Sequence, residues 1–188
     1  MATNITVYDG IGYYGTGQGW EDNETEPGNV LSQAWDLEGF FLKGSELSMI
    51  GGYDFVEGEY SAAWKQTFYS GDIFISTDSD FSSGNTGTTN HEYEIVESNF
   101  GYEYAIDLDF QNKSYKIVEL NDSSTVMLGL AYFDENIASN PFRYVSGGSL
   151  IGTGSFIYND GADVSNFGFT DNDTHNLVSG IDLSFMGT

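Results

Sequence analysis

Residues 102–110 read Tyr102-Glu103-Tyr104-Ala105-Ile106-Asp107-Leu108-Asp109-Phe110, and this stretch decides the fold class. Every second side chain in it, from Tyr102 to Phe110, is apolar. The residues between them are three acids and one alanine. A period of two predicts a β-strand with one buried side and one side in water, so Ala105 is expected on the solvent side.

The C-terminal run repeats this alternation. Its apolar residues are Leu177, Ile181, Leu183 and Phe185, and its small or polar residues are Asn176, Gly180, Asp182 and Ser184. We therefore expect a second half-buried strand here, with the first set facing the core.

Shorter strand-like runs fill the rest of the chain, and turn signals such as Lys43-Gly44 and Asn159-Asp160-Gly161 separate them. No segment sustains a helical period, and no repeat or linker divides the chain. We predict one all-β domain over residues 1–188, a two-sheet antiparallel β-sandwich of the jelly-roll type. The expected further strands are Ile5–Tyr8, Trp35–Leu42, Leu47–Phe55, Asp72–Ser76, Tyr115–Leu120, Thr125–Phe133 and Leu150–Tyr158.

The composition limits the partners. The chain has 29 acidic and five basic residues, and its net charge of -24 repels nucleic acid and anionic lipid surfaces. No apolar run is long enough to insert into a membrane. There is no cysteine, which excludes a disulfide scaffold and a cysteine zinc site. Such a charge needs neutralisation by divalent cations, by external salt or by a basic partner.

The strongest candidate cation site is the acidic segment that begins at Asp72 and continues through Asp78 and Asp80. Calcium takes six to eight oxygen ligands and tolerates irregular geometry, so an Asp-x-Asp loop after a strand suits it. The segment lacks the full EF-hand pattern, and a solvated acidic turn is the alternative interpretation.

Two further acidic groups are candidate calcium ligands. Glu21, Asp22 and Glu24 belong to a cluster that ends at Pro27-Gly28, and Asp36 and Glu38 are expected on one face of a strand. Closely spaced carboxylates repel one another unless they are solvated or share a cation. Asp171-Asn172-Asp173 is a weaker third candidate.

Aromatic residues suggest a carbohydrate-binding surface as the alternative function. Trp20, Trp64 and Tyr69 could stack on sugar rings, with acidic and amide groups as hydrogen-bond partners. Asp36 and Glu38 are the best place to look for a glycoside hydrolase pair, although nothing in the pattern selects two carboxylates from 29. His175 is expected to be a turn residue rather than a base or a metal ligand.

Several segments together resemble bacterial exosortase-dependent (PEP-CTERM-type) exported surface proteins. They are Trp20–Gly28, Gln33–Leu42, Gly51–Phe55, Ser70–Ile75, Gly101–Leu108 and Thr174-His175 with Ile181–Phe185. The resemblance implies export to the cell surface or extracellular matrix, with no catalytic residues to carry over. It also adds Asp54 to the acidic positions that could converge at a sheet edge with Asp36, Glu38, Asp72 and Asp78. We expect the sorting signals of such a protein to lie outside this sequence.

These observations predict a non-catalytic extracellular domain, stabilised by Ca²⁺, that serves surface architecture or adhesion. The alternatives are a carbohydrate-binding module and, third, a glycoside hydrolase. A surface glycan is one predicted partner. Another is a second copy of the chain, since long alternating strands with little lysine can associate through their edges.

Overall fold

A computed structural model describes residues 2–6, 32–63, 65–78, 84–85, 95–97, 101–128, 138–139 and 141–187. The chain forms two compact units. The first comprises Met1–Ser70, Phe110–Lys113 and Gly154–Thr188, and the second comprises Gly71–Asp109 and Ser114–Thr153. The prediction of one domain over residues 1–188 stays a prediction.

The described residues form strands and short 3-10 turns. The strands are β1 Thr3–Asn4, β2 Leu37–Lys43, β3 Glu46–Gly51, β4 Glu59–Ser61, β5 Gln66–Phe68, β6 Ile73–Ile75, β7 Gly84–Asn85, β8 Ile95–Glu97, β9 Tyr104–Asp109, β10 Ser114–Glu119, β11 Thr125–Leu128, β12 Ala138–Ser139, β13 Pro141–Ser146, β14 Ser149–Ser155, β15 Ile157–Asn159 and β16 Asn176–Asp182.

The first unit is built on a five-stranded sheet in the order β1-β2-β3-β16-β15, with antiparallel neighbours. Its central strand β3 is buried on both faces. Ser48 and Ile50 share one face with Phe41 of β2, and Val164 packs against that face together with Phe167 and Phe169. Leu47 and Met49 are buried on the other face.

A β-bulge changes the alternation of buried and exposed side chains that was predicted for the C-terminal strand. Asn176 and Val178 are buried and Leu177 is half-buried, so the expected inward set is wrong at the start of β16. Between Val178, which pairs with Met49, and Ile181, which pairs with Leu47, the strand contains one extra residue. The extra residue shifts the side-chain pattern, which returns Ile181 and Leu183 to the core as predicted. Gly180 supplies the positive φ of 87° at this bulge.

A hairpin of β4 and β5 accompanies this sheet in the first unit. Phe68 of β5 lies 5.7 Å from the ring of Trp35, and Trp35 lies 6.0 Å from the ring of Tyr53. The aromatic contacts continue from Tyr53 through Phe55 to Phe110. Trp35 therefore belongs to the packed interior, although it lies in a 3-10 turn and the strand begins two residues later than predicted.

The second unit contains a four-stranded sheet in the order β14-β10-β9-β6 and a three-stranded sheet in the order β13-β11-β8. In the first of these, Ile106 of β9 pairs with Ile117 of β10 on one side and with Ile73 of β6 on the other. All three side chains are buried. Ile106 therefore lies on the buried face that was predicted for the 102–110 strand.

The opposite face of β9 is covered as well, so the prediction that Ala105 faces water is wrong. Ala105 is fully buried, and its cross-strand partners Phe74 and Val118 lie on the same face. The physical reason is that the three-stranded sheet packs on this side, where the buried Val126 of β11 contacts Phe74. Sheet-on-sheet packing of this kind is the arrangement of a β-sandwich.

The predicted all-β, antiparallel fold class is confirmed, and the packed sheets are consistent with a β-sandwich. The run predicted as Leu150–Tyr158 is interrupted at Phe156, where β14 ends and β15 begins. The predicted strands Ile5–Tyr8 and Thr125–Phe133 lie partly outside the described residues. Within the described part of the chain, no helix is long and apolar enough to cross a bilayer.

Candidate functional site

Asp72 is the most deeply placed of the predicted calcium ligands, and both of its carboxylate oxygens accept backbone hydrogen bonds. The N–H of Leu108 in β9 donates to Oδ1 at 2.9 Å, and the N–H of Tyr144 in β13 donates to Oδ2 at 2.8 Å. The N–H of Asp72 itself donates to the carbonyl of Phe142 at 2.9 Å. Asp72 therefore joins the two sheets of the second unit.

Burial raises the pKa of Asp72 to about 6, although the two backbone N–H donors favour the carboxylate and act to lower it. The two amide groups and the charge of Arg143 stabilise the carboxylate, whereas burial and the charge of Asp107 destabilise it. A calcium ion at this position would have to share oxygens that already serve the backbone.

Asp78 lies beyond the end of β6, and the residue before it contacts an acidic side chain that the sequence pattern did not single out. Ser76 Oγ lies 3.3 Å from Asp78 Oδ1. The backbone N–H and the hydroxyl of Thr77 donate to Glu103 Oε2 at 2.6 Å and 3.0 Å. Glu103 comes from the segment before β9, so the fold brings a carboxylate to this strand end from a distant part of the sequence.

Asp54 closes a turn after β3. Its Oδ1 accepts the backbone N–H groups of Val56 and Glu57, each at 2.9 Å, and lies 3.0 Å from the hydroxyl of Tyr158, which donates to it. Burial, followed by this hydrogen bond, raises the pKa of the Tyr158 hydroxyl well above its usual range. The structure therefore places Asp54 in a turn-capping role.

The densest group of ionisable side chains in the described residues surrounds His175 and belongs to the first unit. The imidazole is buried, Nε2 lies 2.8 Å from Asp171 Oδ1, and Nδ1 lies 2.9 Å from Glu38 Oε1. The contact between Nδ1 and Glu38 does not have hydrogen-bond geometry. Each ring nitrogen nevertheless has an acidic oxygen close to it.

Neighbouring contacts hold the two acidic partners of His175. Gln33 Nε2 donates to Glu38 Oε1 at 3.2 Å and to the carbonyl of Thr174 at 2.9 Å. The hydrogen bond to His175 lowers the pKa of Asp171, and the backbone N–H of Asp173 acts in the same direction. This cluster ties the beginning of β2 to the chain entering β16. The prediction that His175 is a turn residue did not foresee its burial or its two acidic neighbours.

Asp36, near this cluster, has an environment that disfavours its ionised form. Burial, and then repulsion by Glu38, raises the pKa of its carboxyl to about 6, although the charge on His175 acts in the opposite direction. A carboxyl with a raised pKa beside an ionised one is the electrostatic pattern of a glycosidase pair. Here, however, Oε1 of Glu38 already contacts His175 and Gln33, and its side chain is only 13% exposed.

No three His, Asp or Glu side chains converge as a metal-binding group within the described ranges. The calcium ligands Glu21, Asp22, Glu24 and Asp80 and the tryptophans Trp20 and Trp64 lie outside those ranges. Asp36 and Glu38 are brought together, whereas Asp54, Asp72 and Asp78 each have separate hydrogen-bond partners. The calcium prediction stays a prediction.

Tyr69, predicted for sugar stacking, is 58% exposed and follows β5. Tyr60 on the paired strand β4 is 57% exposed. The hairpin region thus presents two accessible aromatic rings. The sequence pattern alone suggested only Tyr69.

Comparisons with protein-family models, with curated proteins and with solved structures found no match to this chain.

The raised pKa of Asp36 predicts how stability changes with pH. The folded state binds the Asp36 proton more tightly than the unfolded state does. Its contribution to stability is therefore favourable below about pH 4 and is lost as the pH rises to about 6. Asp36→Asn should stabilise the protein at neutral pH by about 1 kcal/mol after solvent screening, and should have little effect near pH 4. Urea denaturation at both pH values measures this difference.

Asp107→Asn is the matched control, because Asp107 makes a surface ion pair with Lys116 at 3.1 Å. This variant should be neutral or slightly less stable at neutral pH. Equal stabilisation by both variants would show that general charge reduction, and not the environment of Asp36, is responsible.

Proposed function

We propose that this chain is a non-catalytic extracellular β-sandwich domain, stabilised by calcium, that serves cell-surface architecture or adhesion. The observation that carries the proposal is the use of the selected acidic side chains. Asp54 holds a turn, Asp72 joins two sheets, and Glu38 contacts the buried ring of His175. Carboxylates engaged in this way support a scaffold.

The segments that resemble exosortase-dependent surface proteins support export. The charge of -24 disfavours binding to nucleic acid and to anionic membranes, which supports a role outside the cell. The aromatic interior around Trp35, Tyr53 and Phe55 gives the domain a core that needs no disulfide, in a chain without cysteine.

The hydrogen bonds of Asp72 and Asp78 rank these two residues as candidate calcium ligands. Asp72 is a weak candidate because its oxygens already accept two N–H groups. Asp78 is a better candidate, since it lies beyond the end of β6 and close in sequence to Asp80. Thr77, which precedes Asp78, contacts the carboxylate of Glu103. Carboxylates from two parts of the chain are therefore available near the end of β6, and oxygen ligands of this kind suit calcium.

The test is thermal unfolding in EDTA and in calcium. At a hundredfold excess over the Kd, calcium binding to the folded state adds about 2.7 kcal/mol, which for a chain of this size raises Tm by roughly 5–10 °C. Asp78→Asn with Asp80→Asn should abolish that rise, whereas Asp107→Asn should retain it. Asp72→Asn is unsuitable as a test, because it disturbs two backbone hydrogen bonds whether or not calcium binds there.

Sodium chloride at matched ionic strength separates specific binding from general screening of the charge. A Tm that is the same in EDTA and calcium, or that rises equally with sodium, would contradict the calcium proposal.

Carbohydrate binding is the second candidate function, and the β4–β5 hairpin favours it. Tyr60 pairs with Thr67, and Tyr69 is two residues beyond Thr67. Tyr69 comes directly after β5, so both exposed rings belong to the region of this hairpin. Phe68, which precedes Tyr69, packs on Trp35. The two exposed rings can stack on successive faces of a sugar chain while the hairpin stays anchored.

The net charge selects the class of sugar. A polysaccharide that carries carboxylates or sulfates is repelled by a charge of -24, so we expect an uncharged glycan.

The matching experiment is affinity electrophoresis against soluble glucans, mannans, xylans and galactans, with calcium present. Tyr60→Ala with Tyr69→Ala should weaken binding to the retained polysaccharide at least tenfold, a loss of about 1.4 kcal/mol. The corresponding phenylalanine double variant keeps both rings and should bind like the parent. Absence of retardation on every neutral polysaccharide, or retardation that survives the alanine changes, would rule out this surface.

A further inference from the structure

The edge of the four-stranded sheet in the second unit ends on an uncharged strand. Within the described residues, β14 has β10 as its one neighbouring strand and lies at the end of the sheet order. Its sequence, Ser149-Leu150-Ile151-Gly152-Thr153-Gly154-Ser155, has no charged residue and no proline. Natural edge strands are commonly protected by lysine, proline, a bulge or short length. A strand of seven residues without these features is open to pairing.

The side chains of β14 are also exposed on both faces. Leu150 is 61% exposed and Ile151 is 41% exposed. Because consecutive residues of a strand point to opposite faces, apolar surface lies both above and below this edge. A strand added beside β14 would cover part of both surfaces while it completes the backbone hydrogen bonds.

Other sheet ends in the described part of the chain are shorter. β1 has two residues, β6, β8 and β15 have three residues each, and the six-residue β13 begins with Pro141 and contains Arg143. Short edges limit the number of hydrogen bonds that an incoming strand can make, so β14 offers the longest ladder.

The charge distribution identifies the partner. Residues 144–159 carry no charge, although 18% of the whole chain is charged. Two copies, each with a charge of -24, repel one another strongly, and an uncharged segment is where they can approach at least electrostatic cost. A basic partner would be drawn to the acidic surfaces of the molecule and would gain nothing from a neutral edge.

We infer that β14 is a homophilic contact, at which the β14 strands of two copies pair antiparallel about a two-fold axis and join their sheets. Two identical edges related by a two-fold axis form a closed, isologous interface. The inference deepens the proposed adhesive role by naming the partner as a second copy of the chain. It does not depend on calcium.

The salt dependence of this association distinguishes it from an interface of ion pairs. Screening weakens the repulsion between two acidic copies and leaves hydrogen bonds and apolar contacts largely intact. Association should therefore strengthen as salt rises, whereas an interface held by salt bridges weakens.

Sedimentation velocity of the full chain in EDTA tests the inference. We expect a concentration-dependent shift from monomer to dimer between about 1 µM and about 1 mM, the range of a weak interface, with a lower midpoint in about 0.5 M sodium chloride. Leu150→Asp with Ile151→Asp should weaken dimerisation at least tenfold, since it places two charges on each copy at the contact.

Ile5→Asp with Met186→Asp is the control, because it adds the same charge at two apolar side chains that are 43% and 36% exposed in the first unit. This variant should dimerise like the parent apart from a small effect of net charge. Circular dichroism melts verify that both double variants fold.

A parent protein that stays monomeric over the whole concentration and salt range would overturn the inference. Equal loss of dimer in the control would do so as well. Because EDTA is present throughout, either result leaves the calcium proposal to its own melting experiment, and a failure of the calcium proposal leaves this result unaffected.

Discussion

The shortage of positive charge is the constraint on which the rest of the structure depends. Five lysine and arginine side chains cannot compensate 29 carboxylates by ion pairing. A carboxylate that leaves water must therefore find N–H donors or remain partly protonated. Asp72 does both, since it accepts two backbone N–H groups and its pKa is raised to about 6 by burial. Asp54 relies on two backbone N–H groups and a tyrosine hydroxyl.

His175 meets the same constraint by a different route. Its ring lies between Glu38 and Asp171 in a position that is 5% exposed, with carboxylate oxygens 2.9 Å and 2.8 Å from its two nitrogens. In the same cluster, burial and then repulsion by Glu38 raise the pKa of Asp36 to about 6. One buried histidine thus serves two carboxylates in a chain that is short of basic side chains.

The fold class could be predicted from the alternation over residues 102–110, because side-chain period is a local property of the sequence. Two details could not. Ala105 is buried because Val126, twenty-one residues further on, belongs to a sheet that packs over that face. The bulge after Val178 was also hidden, since it appears only when β16 is paired residue by residue with β3. Both errors come from partners that are remote in sequence.

The candidate site could likewise be predicted only in part. Asp36, Glu38, Asp54 and Asp72 could be selected from the sequence, and the structure gives each a distinctive environment. Their roles depend on distant donors: Asp72 is held by Leu108 and Tyr144, and Glu38 by His175. The rarity of histidine in an acidic chain was the signal that could have singled out His175, since the sequence has only two.

A double-mutant cycle on Glu38 and His175 tests most directly whether buried carboxylates here depend on scarce donors. The four proteins are the parent, Glu38→Gln, His175→Gln and the double variant, compared by urea denaturation at neutral pH. If the two side chains form a coupled buried pair, His175→Gln alone should lower the free energy of unfolding by about 3 kcal/mol. The coupling energy should be about 2 kcal/mol, so the double variant should be far more stable than the sum of the two single losses implies. Single effects that add to within about 0.5 kcal/mol would contradict the account.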